Sequence, residues 1–429
     1  TPRSLRPYEH AAVAYRLGLA YAESPVGSRG ELLRKALACF DVAAAIFDPR
    51  FDPAEHARVL NAAGAAHRGL GDPRRAADLF EKASSLFEGR GRDPEQAAAL
   101  NNLGLAMAEV GEYDRAVAAC DAALPLFDED TAEGRRGRAA TLHNRGMARA
   151  AVGTRASLEA ALSDYREAAE QVDVAEAPYH FALVHHSVGV TCSALAGTVS
   201  EEDGGADARR RLLHEAVGAF TQSLSVFRRN DFPQQHAVAK HNLGLALMAL
   251  GERDDLRRAL VCFEDAAAAF DPRQQGAAWQ QAYANMQRVE DQLGQQHPGT
   301  SRSQHFAALI ETVDEREAIM LLRDRLTRLL DLREEIAHGV FIDLTLAILT
   351  LGFERARLVT TRMLGVLMEL PNEKLAFVLG AVLDAHRRLA PEAEEEARGV
   401  LDQAVSDALV GPQRIWVRDY LYSRGFERP

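Results

Sequence analysis

The chain has 429 residues and a net charge of −12, and 47% of its residues are hydrophobic while 26% are charged. This ordinary globular composition excludes wholesale disorder, and the acidic balance disfavours a broad nucleic-acid-binding surface. The sequence contains no run of about eighteen apolar residues and opens with no signal peptide, so we expect a cytoplasmic protein without a membrane partner.

Four cysteines lack the paired spacing of metal or redox sites: Cys39, Cys120, Cys192 and Cys262. Three of them fall in the second helix of a predicted helix pair, where cysteine acts as a small hydrophobic residue. The pattern therefore indicates a reducing compartment.

The stretch 98–127 shows the pattern on which most of the chain is built. Two segments with apolar residues at helical spacing flank a short turn at 111–114. Gly104 in the first and Ala116 in the second would let two helices approach closely, which predicts an antiparallel helix pair. Because neither helix can bury its apolar stripe alone, the pair needs copies of itself on either side.

Three sets of residues recur together at a spacing of roughly forty residues. The first helix carries a glycine: Gly18, Gly64, Gly104, Gly146, Gly189 and Gly244. The second helix carries a mostly aromatic residue: Phe40, Phe80, Cys120, Tyr165, Phe220 and Phe263. An apolar anchor follows: Phe47, Phe87, Phe127, Val172, Phe227 and Phe270. A shared period of this length predicts a helical solenoid.

The strings NNLGLAMAEVGEYDRAVAAC and HNLGLALMALGERDDLRRALVCF resemble tetratricopeptide (TPR) repeats of the longer-period kind. The resemblance covers about residues 8–293. It implies an all-α, right-handed superhelical solenoid whose first helices line a concave groove for a protein or peptide ligand.

In chain order, we predict six helix pairs over 8–48, 53–88, 98–127, 138–172, 178–227 and 233–270, then a capping helix over 276–293. Pro125 is expected to kink or end its helix. The acidic, glycine-rich insertion 197–206 is expected to form a surface loop. The composition of 297–303 predicts a linker, which makes residues 1–296 the solenoid domain.

The repeat signature disappears beyond the linker, so 304–429 is predicted to be a separate all-helical C-terminal domain. Periodicity predicts helical segments over 316–330, 334–351, 353–370, 373–389, 392–409 and 414–423. The stretch 341–351 is almost wholly apolar, which indicates a central buried helix.

Side chains two and three positions before the repeat glycines are the candidate ligand contacts. In the TPR family these positions line the groove; here they include Tyr15, Arg16, Asn61, Asn101, Asn102, His143, Asn144, His186, His241 and Asn242. Amides and imidazoles can hydrogen-bond an extended peptide backbone. The alternative is that the asparagines bridge neighbouring helices or cap a backbone carbonyl. Lysines of the family's carboxylate-clamping variant are missing from these rows, which disfavours that ligand class.

Arg145 stands directly before Gly146, where the family usually has an apolar residue. It would either form a salt bridge or point into the groove.

No cofactor and no metal are expected. His143, His186 and His241 come from three consecutive repeats, which stack about 8–10 Å apart, too far for one metal ion to take all three. The sequence has no GxSxG, phosphate-binding or HExxH motif, so enzyme activity is disfavoured.

Residues 331–339 read DLREEIAHG, which resembles the Arg-x4-His signature of HEPN domains, small helical domains that often act as metal-independent ribonucleases when dimeric. The resemblance covers about 304–370 and implies Arg333 and His338 as catalytic residues. Because residues five apart do not share a helical stripe, the helix would have to end or bend near Ala337 or Gly339, or the two side chains would have different partners. The alternative is an exposed helix end with His338 near the C-terminal dipole.

The sequence therefore predicts a non-catalytic scaffold that recognises a protein or peptide in its groove. The C-terminal domain would be an effector module or a homodimer interface. The alternative is a sensor whose C-terminal domain cleaves RNA.

Overall fold

The computed structural model describes residues 6–89, 91, 93–200, 205–270, 275–296 and 301–426. All regular secondary structure in those residues is helical, which confirms the all-α fold. None of the described helices is long and apolar enough to cross a membrane. The chain divides into two compact units, unit 1 (Thr1–Ala249) and unit 2 (Leu250–Pro429).

Unit 1 is a helical-repeat solenoid. Its helices are α1 (Pro7–Glu23), α2 (Arg29–Ala44), α3 (Pro53–Gly69), α4 (Pro73–Phe87), α5 (Asp93–Val110), α6 (Tyr113–Ala123), α7 (Ala132–Val152), α8 (Arg155–Gln171), α9 (Pro178–Thr198), α10 (Gly205–Val226) and α11 (Pro233–Leu250), whose last residue falls in unit 2. Consecutive helices pack as the pairs α1–α2, α3–α4, α5–α6, α7–α8 and α9–α10. These are the first five helix pairs that the period predicts.

The repeat glycine and the repeat aromatic residue meet inside each of these pairs. A Cβ added to Gly64 would lie 2.7 Å from Cε1 of Phe80, and one added to Gly146 would lie 2.6 Å from Cε1 of Tyr165. In the third repeat Cys120 takes the place of the ring, with its Sγ 2.6 Å from a Cβ at Gly104. The period of forty residues is therefore the period of one close helix–helix contact, and only glycine fits it without displacing the partner.

Two local expectations in unit 1 have clear outcomes. Helix α6 ends at Ala123, and a turn of 3-10 helix at Leu124–Leu126 contains Pro125, so the proline ends the α-helix as predicted. In the insertion 197–206, α9 continues to Thr198 and α10 starts at Gly205, while residues 201–204 lie outside the described residues.

Unit 2 contains α12 (Arg253–Ala269), α13 (Gly276–Gln296), α14 (Arg302–Thr312), α15 (Glu315–Leu330), α16 (Glu334–Leu349), α17 (Phe353–Leu367), α18 (Asn372–His386), α19 (Pro391–Ala408) and α20 (Gly411–Ser423). The predicted central helix is α16, whose Phe341 and Ile342 are fully buried in the core. It packs on α14, α17 and α18.

The two compact units divide earlier in the chain than the expected boundary at residue 296. Helices α12 and α13 belong to unit 2, where Glu264 and Asp265 of α12 pair with Arg325 and Arg328 of α15. Of the predicted linker, residues 297–300 lie outside the described residues. Ser301 caps α14, a helix missing from the predicted segments, through a capping box with Gln304.

Candidate functional site

Two columns of polar side chains run along the first helices α3, α5, α7, α9 and α11. A residue two positions before the glycine of one repeat hydrogen-bonds a residue three positions before the glycine of the preceding repeat. The contacts are Asn102 Nδ2 to Asn61 Oδ1 at 3.1 Å, Asn144 Nδ2 to Asn101 Oδ1 at 2.8 Å, His143 Nε2 with Ser187 Oγ at 3.0 Å, and Asn242 Nδ2 with His186 Nε2 at 3.4 Å. We call these eight residues the polar ladder.

The polar ladder confirms that the asparagines bridge neighbouring helices. Each contact joins consecutive repeats, so the ladder helps to fix the register of one repeat on the next. A ladder asparagine offers one acceptor oxygen and two donor hydrogens, and each contact uses one group of each amide. The remaining groups are on half-buried side chains such as Asn102 and Asn144.

The first repeat departs from this arrangement. Tyr15 is half-buried with its ring 6.0 Å from that of Phe40, and burial raises the pKa of its hydroxyl. The next repeat offers Ala62 at the position that would meet it, and alanine has no polar group. Arg16 is exposed. The ladder therefore begins at Asn61.

The histidines of these columns are neutral at physiological pH. Burial lowers the pKa of His143 to about 4, with a smaller contribution from His180, whose ring lies 5.8 Å away. Burial also lowers the pKa of His186 and His241. Within the described residues, no group of three His, Cys, Asp or Glu is placed to hold a metal ion. The imidazoles act here as hydrogen-bonding groups.

Two rows flank the polar ladder on the same face of the first helices. One row lies six positions before the glycine: Ala12, Arg58, Ala98, Ala140, Leu183 and Val238. The other lies one position after it: Leu19, Ala65, Leu105, Met147, Val190 and Leu245. All are half-buried or exposed, and all but Arg58 are apolar. These rows were not predicted from the sequence, although a spacing of four and then three residues puts them on one helical stripe with the ladder.

Arg145 forms a salt bridge, the first of its two predicted outcomes. Its guanidinium contacts buried Asp164 of α8 at 2.6 Å and Asp121 of α6 at 2.6 Å. Arg149 also contacts Asp164, at 2.8 Å. Asp164 is buried and receives two guanidinium groups, so the network ties α6, α7 and α8 together.

An open cleft of 760 Å³ lies in unit 2 between α16, α18 and α20. His338 Nε2 lies 3.2 Å from Asp384 Oδ2 there, and Asp384 also contacts Arg387 at 2.8 Å. The residues that line the cleft are Glu334, Glu335, His338, Glu373, Ala376, Phe377, Gly380, Leu383, Asp384, Arg387, Tyr420 and Arg424. With four carboxylates against two guanidinium groups, this lining disfavours a polyanion such as RNA.

The structure does not bring Arg333 and His338 to one site. Arg333 is exposed at the residue before α16 and does not line the cleft. Helix α16 runs without interruption to Leu349, so no end or bend near Ala337 or Gly339 brings the two side chains together. His338 therefore lies in the second turn of the helix, away from its C-terminal dipole, and has Asp384 as its partner.

No protein-family model and no curated protein matches the chain. Solved structures that are similar to the chain include the following two. The crystal structure of BtubC (BKLC) from P. vanneervenii is 18% identical, with 68% of this chain and 94% of that chain covered and a TM-score of 0.35. A circular tandem repeat protein with novel repeat topology is 14% identical, with 97% of each chain covered and a TM-score of 0.27. Similarity at this level carries no information on what this chain binds.

Proposed function

We propose that unit 1 is a tetratricopeptide-type scaffold that binds a partner protein through an extended peptide segment. The peptide lies along the first helices, with its backbone on the amides of the polar ladder and its apolar side chains on the two flanking rows. The observation that carries the proposal is that one face of the first helices combines two apolar rows with amide groups that the ladder contacts do not use.

The chemistry of the face defines the peptide. Backbone amides and carbonyls can pair with asparagine in either direction, so the ladder favours an extended chain without demanding a particular sequence. The apolar rows favour aliphatic or aromatic side chains at intervals along it. The lysines needed to clamp a terminal carboxylate are missing from these columns, so an internal segment is the better ligand.

A cytoplasmic location is part of the same proposal. The four cysteines are free, and burial raises the pKa of the Cys120 and Cys192 thiols to about 12. Buried, protonated thiols are inert core groups, and such groups need no oxidising compartment.

The test uses peptides selected from a random displayed library on the full-length protein. Val190→Glu puts a carboxylate in an apolar row at a side chain that is 42% exposed. Val174→Glu makes the same change in the loop between α8 and α9, at a side chain that is 46% exposed. We expect Val190→Glu to weaken binding at least about tenfold and Val174→Glu to leave it unchanged, measured by fluorescence anisotropy. Equal effects of the two variants would refute the proposed face.

A further inference from the structure

The first helix of the solenoid exposes a stripe that every later repeat buries. The stripe comprises Val13, Leu17 and Ala20, which lie five and one positions before the glycine and two positions after it. Val13 is 60% exposed, Leu17 is 45% exposed and Ala20 is also exposed. In the later repeats the same positions are buried, except for half-buried Arg145: Val59, Ala63, Ala66; Ala99, Leu103, Ala106; Thr141, Arg145, Ala148; Val184, Val188, Thr191; and Ala239, Leu243, Ala246.

The other face of α1 is packed normally. Ala11, seven positions before the glycine, is fully buried, as are the five residues at its position in later repeats: Ala57, Ala97, Ala139, Ala182 and Ala237. Gly18 is buried against Phe40 of α2. Repeat one is therefore complete towards its own second helix, and its outward-facing stripe is not covered by any of the described residues.

The later repeats show what covers this stripe. The first helices α3, α5, α7 and α9 pack on the second helix of the repeat before them, in the pairs α2–α3, α4–α5, α6–α7 and α8–α9. Consecutive helices joined by short loops run antiparallel. The covering helices share a pattern of alanine, aromatic residue (Cys120 in α6), alanine and apolar residue at spacings of four, three and four, as in Ala161, Tyr165 and Ala168 of α8 and Val172 directly after it.

We propose that the stripe of α1 is a docking surface for one amphipathic helix of a partner protein, antiparallel to α1 and patterned like the second helices. Arg16 is exposed at the edge of the stripe, so the docked helix carries an acidic residue there. Within the solenoid a second helix already supplies a carboxylate to this face, because Asp121 of α6 contacts Arg145 of α7, at the position of Leu17, at 2.6 Å.

A second copy of this chain fits the stripe less well. A symmetric antiparallel pair that places Val13 of one chain on Ala20 of the other has its two-fold axis beside residues 16 and 17. The guanidinium of Arg16 would then lie next to that of Arg16 in the other copy, and like charges in contact are destabilising.

The experiment uses a labelled peptide of residues 155–177, which comprises α8 and the loop that leads to α9. In the solenoid α8 packs on α9. Helix α9 begins with Pro178 and α1 with Pro7, each eleven positions before its repeat glycine, so the peptide can pack on α1 in the register that α8 has on α9. Anisotropy is measured with the full-length protein and its variants. We expect saturable binding that Leu17→Glu weakens at least about tenfold and Val190→Glu does not change.

Circular dichroism of both variants checks that they are folded, as expected for substitutions at exposed side chains. Lack of saturable binding to the folded wild-type protein would overturn the proposal. So would binding that responds to Val190→Glu in place of Leu17→Glu, because the peptide would then occupy the face proposed for extended ligands. Sedimentation of the full-length protein as a dimer that Leu17→Glu dissociates would also overturn it, since the occupant would be a second copy.

Discussion

At the residue scale, the side chains of the polar ladder bridge consecutive repeats, and we propose that the same side chains bind the peptide. Asn61, Asn101, Asn102 and Asn144 stabilise the stacking of repeats, and their remaining hydrogen-bonding groups are what a peptide would use. The sequence placed these residues in two columns but left bridging and ligand binding as alternatives. The structure establishes the bridging, and each bridging contact leaves other hydrogen-bonding groups of the amide unused.

His143 makes the stability of the protein depend on pH. Its pKa is about 4 in the folded chain because the ring is buried, against an ordinary value of 6.5. Between these values the unfolded chain binds a proton that the folded chain does not, so the free energy of unfolding falls as the pH drops from about 6.5 to 4, by up to about 3 kcal/mol for this group. Well above pH 6.5 both states are neutral and the histidine contributes nothing to the pH dependence.

Urea denaturation of His143→Gln at pH 7 and pH 4.5 tests this contribution. Glutamine can keep a hydrogen bond to Ser187 but cannot be protonated, so we expect the variant to lose less stability on acidification than the wild type. His214→Gln, at an exposed position on α10, is the matched control and should retain the full pH dependence. Identical acid losses in His143→Gln and wild type would contradict the argument.

At the element scale, the sequence predicted the helix pairs because one contact repeats. The periodic glycines and rings are local signals, and the structure places them on each other, as in Gly189 with Phe220. The sequence could not indicate the flanking apolar rows as reliably, since leucine or valine on a helix predicts a buried position just as well. Beyond residue 304 the glycine-and-ring signature is missing from the sequence, so no repeat guided the prediction there and α14 was missed.

Substitution of two glycines in the fifth repeat distinguishes the effect of close packing on stability from the effect of helix propensity. A Cβ at Gly189 would lie 2.7 Å from Cε1 of the buried Phe220 ring, whereas one at Gly218 of α10 meets open space. We expect Gly189→Ala to destabilise the protein by about 1–3 kcal/mol through overpacking. Gly218→Ala should stabilise it by up to about 1 kcal/mol, because alanine is the better helix former.

Both variants are measured by urea denaturation under one set of conditions. The opposite signs are the decisive outcome, since both substitutions add the same methyl group to a helix of the same repeat. If Gly189→Ala were as stable as Gly218→Ala, the close approach of α9 and α10 would not be what requires glycine.

At the scale of the whole molecule, the division of the chain depends on contacts that sequence periodicity does not report. Helix α12 carries the aromatic residue and the anchor of a sixth repeat, Phe263 and Phe270, which is why the sequence assigned it to the solenoid. Its Val261 nevertheless belongs to the core of unit 2, and Glu264 pairs with Arg325, a side chain that also lies over the ring of Phe306. Contacts between residues so far apart in sequence leave no local pattern to read.

Two fragments that share α14 to α20 distinguish these boundaries. The fragment 250–429 keeps α12 and α13, whereas the fragment 297–429 begins at the first residue of the predicted linker 297–303. Loss of α12 exposes apolar core surface around Phe306 and removes the carboxylates of Glu264 and Asp265 from their arginines. We therefore expect 250–429 to unfold cooperatively in urea and 297–429 to unfold at a lower midpoint, with stronger binding of a hydrophobic dye. Equal midpoints would show that α12 and α13 contribute nothing to unit 2, and the solenoid would then extend to residue 296.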